Sequence, residues 1–224
     1  MRVRLALPKG RLQGEISRFL AGGGLAIENY EEGSRSYRPK APAFPLLFTK
    51  VFQEKDIPVQ VAIGNYDLGI CGMDWVDEHL VKFANSSLVK LRELGVGSRE
   101  IWVVASSLSD LTSLEALEKA SASRTISIVS EYANLAEAFV FDNRLRRFRV
   151  FPVWGAAEAY LPEKADIALV ANGFKDELAK KKLRPVARIM AAQAALIANR
   201  DSFSSDDLSP FLSVVNRAEV ARGG

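Results

Sequence analysis

Short apolar runs alternate with helix-length amphipathic stretches along the whole chain. This alternation restricts the fold to α/β architectures built on mainly parallel sheets. Residues 3–7 (VRLAL) read as a first strand. Pro8-Lys9-Gly10 breaks it, and Leu12, Ile16, Phe19 and Leu20 then recur at helical spacing up to Gly22-Gly23-Gly24. Residues 44–51 are a second apolar run. Asp56 can cap a helix with Pro58 in its first turn, residues 67–72 form a short buried strand ending in glycine, and Trp75, Val76, Leu80 and Val81 make the next helical face. A second series starts near Ser98. Its strands are residues 101–105, 125–129, 149–153 and 166–170, with helices from Ser113, at about 134–141 and at about 174–181. Residues 185–190 and 194–199 are late strands, and 206–220 a final helix. No internal repeat stands out. Two such series in 224 residues predict two small lobes with a cleft between them.

Composition removes several classes of function. No apolar run is long enough to span a membrane, and the first residues lack the pattern of a signal peptide. A net charge of +3 is too small to imply nucleic acid, and Lys180–Lys182 reads as a solvated helix end. One cysteine, Cys71, and one histidine, His79, make a zinc site of the usual composition and a Ser–His–Asp triad poor fits. His79 reads as a surface helix residue. The lone cysteine points to a reducing, cytoplasmic compartment, and no metal ligand is assigned.

Three constellations could carry chemistry. Leu7-Pro8-Lys9-Gly10-Arg11-Leu12 is a strand–turn–helix whose glycine admits a ligand to the backbone, with Lys9 and Arg11 as cations at the same mouth. The alternative is a solvated turn. Asp67-Leu68-Gly69-Ile70-Cys71-Gly72-Met73-Asp74 ends a strand at a helix start, where ligands of open α/β sheets sit; the alternative is a packing Gly72 and a capping Asp74. Glu158 and Asp166 could accept hydrogen bonds from a ribose hydroxyl, or could be ordinary carboxylates.

Together these segments resemble the short form of ATP phosphoribosyltransferase. The resemblance runs over most of the chain. Its best-matched pieces are the Leu7–Leu12 motif, Asp56-Ile57-Pro58 with Asp67-Leu68-Gly69-Ile70 and Gly72-x-Asp74, and Leu196-Ile197-Ala198-Asn199-Arg200-x-Ser202. The resemblance implies a two-lobed fold similar to type II periplasmic binding proteins, with the ligand cleft between lobes. Residues 1–96 and 185–224 would form the first lobe, and 97–184 the second. It implies that N1 of ATP attacks the anomeric carbon of phosphoribosyl pyrophosphate (PRPP), that pyrophosphate leaves, and that this is the first step of histidine biosynthesis. Adenine N1 carries no proton at neutral pH, so the reaction needs positioning and charge neutralisation more than a general base.

On this resemblance Lys9, Arg11 and Arg99 are the catalytic cations. Gly10, Asp67, Gly69, Gly72, Asp74, Glu158, Asp166, Asn172, Gly173 and Lys175 bind substrate, and Mg²⁺ arrives with PRPP. Because the chain stops soon after its last helix, a separate regulatory subunit resembling class II histidyl-tRNA synthetase is expected, within a homo- or hetero-oligomer. Where the family has a hydroxyl-rich phosphate loop, this chain has Gly173-Phe174-Lys175-Asp176-Glu177-Leu178. Glu131 stands in place of a lysine, and the arginine before Asp-Ile-Pro is absent. These departures predict weak PRPP binding by the isolated chain. They also motivate a second reading: a paralogue of the same fold that binds a nucleotide or small anion, or serves as a non-catalytic subunit.

Overall fold

Pro8 has no amide hydrogen to offer a sheet and Gly10 takes φ 78°, so the first strand ends where the sequence predicts. The computed structural model describes residues 3–172, 175–203 and 208–223. In chain order the first elements are β1 (Val3–Pro8), α1 (Gln13–Gly22), β2 (Leu47–Phe52), α2 (Ile57–Ala62), β3 (Leu68–Gly72), α3 (Met73–Lys82) and β4 (Leu88–Glu93). There follow β5 (Arg99–Ser106), α4 (Leu114–Ser123), β6 (Ile126–Ser130), α5 (Ala133–Asp142), β7 (Phe148–Pro152), β8 (Ile167–Asn172), α6 (Lys175–Lys180) and β9 (Leu183–Ala192). The chain continues through β10 (Ala194–Asn199), α7 (Arg200–Phe203) and α8 (Ser209–Gly223).

The chain divides into two units. Unit 1 holds Met1–Val76, Asn85–Gly97 and Gln193–Gly224; unit 2 holds Asp77–Ala84 and Ser98–Ala192. The sheet of unit 1 has the order β2-β1-β3-β10-β4, and that of unit 2 the order β7-β6-β8-β5-β9. In both, the first three strands are parallel and the fourth runs against its neighbours. The two sheets therefore repeat one topology, although no repeat is visible in the sequence. The antiparallel strand β5 follows the entry into unit 2 at Ser98, and β10 follows the return to unit 1 at Gln193.

The sequence expectation returned the chain to the first lobe at Pro185. The structure keeps β9 in unit 2, where it pairs with β5 from Arg99↔Ala192 to Ser106↔Leu183, and the return falls at Gln193. Pro185 is tolerated because β9 is an edge strand. The sequence reading also passed over β4, whose three charged residues mask the buried Leu88 and the half-buried Val89 and Leu91.

In unit 1, Phe19 and Leu20 of α1 share a core with Phe211, Val214 and Val215 of α8. Gly23 permits this approach: a Cβ there would overlap the carbonyl oxygen of Val214. Unit 2 is built around Val104, Val129, Ala168, Val170, Leu178 and Leu183. Each such valine or leucine side chain contributes about 1.5–3 kcal/mol when removed from water. Ser113 caps α4 by accepting from Ala116 N, whereas Asp56 precedes α2 without capping it through its side chain.

Candidate functional site

The mouth between β1 and α1 forms because β1 stops at Pro8 and the chain turns through Gly10 before the helix begins. Lys9 N donates to the Phe52 carbonyl at 2.7 Å, which fixes the mouth beside the carboxyl end of β2. The Lys9 ammonium lies 5.2 Å from the ring centroid of Tyr37, within cation–π range. Gly10 is exposed, and nothing lies within 4 Å of where its Cβ would stand. The backbone can therefore meet a ligand directly.

Arg11 stands at the same mouth and is already engaged. One of its nitrogens donates to the Gly97 carbonyl at 2.8 Å, and another pairs with Glu54 at 3.2 Å. Glu15 accepts from Gly97 N at 2.9 Å. Gly97 has φ 68°, and a Cβ there would overlap the Leu12 side chain. Arg11, Leu12 and Glu15 thus clamp one residue, through both its N–H and its carbonyl, where the chain passes from unit 1 to Ser98 of unit 2. Tyr30, fully buried, donates to the Pro8 carbonyl at 2.7 Å, and burial pushes its phenol well above the ordinary range. Gln13 donates to the carbonyls of Glu31 and Ser34. These contacts hold residues 23–46, which carry one isolated bridge, Glu28↔Lys40, and no other regular pairing. Glu15, Tyr30, Tyr37 and Glu54 have no signal in the sequence beyond residue type, because each acts through a partner distant in the chain.

Several expected ligand residues have other work. Asp67 precedes β3 and so lies at the opposite end of that strand from Gly72. Its carboxylate accepts from the Arg4 side chain and backbone N and from Ser202 Oγ. Burial alone would raise its pKa, but the hydrogen bonds from Arg4 and Ser202 outweigh burial and hold it below the usual carboxylate value. Asp166 repeats the device in unit 2: it precedes β8, accepts from Ser127 N at 2.7 Å and pairs with Arg124 at 2.6 Å. Both aspartates lock a strand to its parallel neighbour, β3 to β1 and β8 to β6.

Gly69 lies beneath α2, where a Cβ would come within 2.7 Å of Ile57 Cγ2 and 2.8 Å of Val61 Cγ2; it is a packing residue. Gly72, opposite Ala194 in the sheet, and Asp74, in the first turn of α3, are buried. The third matching motif is structural too. Asn199 donates to the Val61 carbonyl and accepts from Asp201 N and Ser202 N, and Ser202 reaches Asp67.

In unit 2, Arg99 opens β5 and its guanidinium carbon lies 5.9 Å from the ring centroid of the buried Tyr132. Glu158 is held by Lys181 at 2.8 Å. Burial pushes its pKa up, but the hydrogen bond and charge of Lys181 together with a backbone hydrogen bond outweigh it and leave it below the ordinary glutamate value. Glu158 is thus an ion-pair partner before it can be a ribose ligand. Asn172 ends β8 opposite Glu100, and Lys175 begins α6. Gly173, between them, lies outside the described residues.

A carboxylate not singled out in the sequence, Glu78, sits in the part of α3 assigned to unit 2. It accepts from Asn134 N at 2.9 Å and Leu135 N at 2.8 Å, and so takes up two of the open amides at the start of α5. Burial raises its pKa despite these bonds. His79, expected at the surface, is half-buried with its ring 5.0 Å from that of Phe83, and burial lowers its pKa.

Among the described residues no cluster of three or more His, Cys, Asp or Glu side chains could hold a metal ion. No helix there is long and apolar enough to cross a membrane. Among the residues of unit 1 that the sequence singled out, the geometry leaves the Lys9–Gly10 turn open to a ligand, with Arg11 beside it.

Comparison with known proteins agrees with this frame. The HisG family model, described as ATP phosphoribosyltransferase, matches residues 53–217. An ATP phosphoribosyltransferase from Halothermothrix orenii is 28% identical over 98% of this chain and 94% of its own length. One from Aquifex aeolicus is 30% identical over 94% of this chain and 92% of its own. Of a longer relative, from Prosthecochloris aestuarii, the chain spans 65%. Among solved structures, the ATP phosphoribosyl transferase (HisG:HisZ) complex from Thermotoga maritima aligns with TM-score 0.77 and 16% identity, over 97% of this chain and 98% of that one. The alkanesulfonate-binding protein SsuA from Xanthomonas axonopodis aligns with TM-score 0.56 and 13% identity, over 97% and 72%. These two similarities show the fold.

Proposed function

We propose that this chain, which belongs to the ATP phosphoribosyltransferase family, grips substrate polyphosphate at the β1–α1 mouth through Lys9, the backbone of Gly10 and Arg11. The family's reaction joins N1 of ATP to the anomeric carbon of PRPP and expels pyrophosphate, the first step of histidine biosynthesis. Family membership favours this transferase reading over a non-catalytic paralogue.

One observation carries the assignment of the mouth. Gly10 combines a positive φ with open space above its backbone, between two cations at the carboxyl end of β1. Arg11 would supply its charge by exchanging Glu54 for a phosphate, the Arg11 side chain being the more exposed of the pair. Arg99, resting over Tyr132, is the proposed cation of unit 2, with Asn172, Gly173 and Lys175 as its phosphate loop. Mg²⁺ is proposed to enter as part of the PRPP complex, since the described residues offer no cluster of three ligating side chains. The Thermotoga relative is named as a complex of two kinds of subunit, which supports a partner subunit; that partner is proposed to be a synthetase-like regulatory chain, within an oligomer. A cytoplasmic setting would keep the single Cys71, buried in β3, reduced.

The test is direct. The pure chain is incubated with ATP, PRPP, Mg²⁺ and pyrophosphatase, with and without the synthetase-like partner, and N1-phosphoribosyl-ATP is followed by its ultraviolet absorbance. Product that depends on both substrates is expected, and more of it with the partner. No product in either arm, from a chain that binds neither substrate, would overturn the proposal.

A further inference from the structure

A cavity of about 450 Å³ lies on the outer side of β2, between that strand and the segment before it. Its walls include Pro39, Pro42, Phe44 and Phe48, and its charged groups are Arg38 and Lys40. No carboxylate lines it. The volume is within the range of small-molecule sites, and such sites are mostly apolar with a few polar groups that set orientation.

The cavity is not part of the mouth described above. Leu47, in its lining, pairs with Val3 at the start of β1, whereas the mouth begins beyond Phe52↔Pro8 at the other end of the same strands; on the other wall Arg38 adjoins Tyr37, whose ring the Lys9 ammonium meets. Five steps of about 3.3 Å separate the two ends of β2.

The walls are held in shape before any ligand arrives. Val51 N donates to the Tyr37 carbonyl, Thr49 Oγ1 donates to the Pro39 carbonyl, and Glu28 N donates to the Lys40 carbonyl. Three prolines, at 39, 42 and 45, stiffen the lining segment further. Because the Thr49 hydroxyl proton is committed to Pro39, the lining side chains left to donate to a ligand are the two cations. Phe48 is 51% exposed and Leu46, beside the lining, 59%, so apolar surface is left to be covered.

We infer that this cavity binds a small planar anion: an aromatic body seated among Pro39, Pro42, Phe44 and Phe48, with one carboxylate or sulfonate between Arg38 and Lys40. Charge complementarity selects the anion, and the preformed proline walls limit the ordering cost on binding.

The probe is 2-naphthoate, titrated into the isotopically labelled full chain and followed by amide chemical shifts, with 2-naphthamide as its neutral isostere. Expected is saturable binding with Kd below about 1 mM, with the largest shifts in residues 38–49, and at least about tenfold weaker binding of the amide. Arg38→Ala with Lys40→Ala should weaken naphthoate about tenfold or more and leave the naphthamide titration unchanged. Both side chains are exposed, and an unchanged amide spectrum elsewhere confirms folding. Equal binding of acid and amide, shifts centred on the Lys9–Arg11 mouth, or no saturation by about 5 mM would each overturn the inference. So would capture of the site by a second copy of the chain, seen as shifts at 38–49 that follow protein concentration alone.

Discussion

The Asp67 carboxylate and the Arg4 guanidinium meet in a two-pronged fork, with Arg4 Nη2 2.5 Å from Oδ1 and Nε 3.1 Å from Oδ2. Arg4 N adds a third bond, so one side chain fixes the register of β3 against β1. Asp67→Asn should destabilise the chain by about 1–3 kcal/mol at pH 7 in urea unfolding. Because the folded-state pKa of Asp67 is lowered, its contribution is present above the ordinary aspartate value and lost as pH falls through the folded one. The gap between wild type and variant should therefore close on acidification. A gap that is constant with pH would refute the assignment.

Glu78 carries the opposite sign. Its pKa is raised by burial, so the wild type gains stability relative to Glu78→Gln as pH falls from the folded value toward the ordinary glutamate value. At neutral pH, Glu78→Ala should cost about 2–4 kcal/mol by stranding the amides of Asn134 and Leu135. Hydrogen exchange at those two amides is the direct readout, and both should accelerate in the alanine variant.

At the mouth, Lys9→Ala or Arg11→Ala should weaken ATP or PRPP binding by about 1–3 kcal/mol in calorimetry. Arg11→Ala should also speed exchange at Gly97 N, since the Arg11 bond to the Gly97 carbonyl is half of the clamp. Unchanged isotherms for both variants would remove the mouth from the site.

Glu54→Gln removes the carboxylate that competes for Arg11. Substrate affinity should rise by about 0.5–1 kcal/mol, most at low salt. Weaker binding would mean that Glu54 holds Arg11 in its working position.

Gly23→Ala places a methyl group against the Val214 carbonyl. The cost should be about 1–3 kcal/mol, read by urea unfolding, with α8 loosened from α1. A neutral effect would show that the helix shifts freely.

The sequence by itself determined most of the elements and the turn after β1. Strand-length apolar runs, helical spacing and a Pro-Lys-Gly break are local signals, and β1, α1, β3, β5, β6, β8 and β10 lie where those signals put them. The Gly10 turn was legible for the same reason, because a positive φ beside a proline is a property of three consecutive residues. Tertiary structure decided what the charged residues do. Asp67, Asp166 and Glu158 look alike in sequence as carboxylates beside α/β elements, yet each is taken by a cation outside its own segment: Arg4, Arg124 and Lys181. Glu78 and Glu15 cap backbone amides more than fifty residues away in sequence. The repeated sheet topology and the assignment of β9 to unit 2 belong to the same class, since strand order depends on pairing across the chain. A carboxylate's chemistry is set by what surrounds it, and that is fixed only when distant segments close on one another.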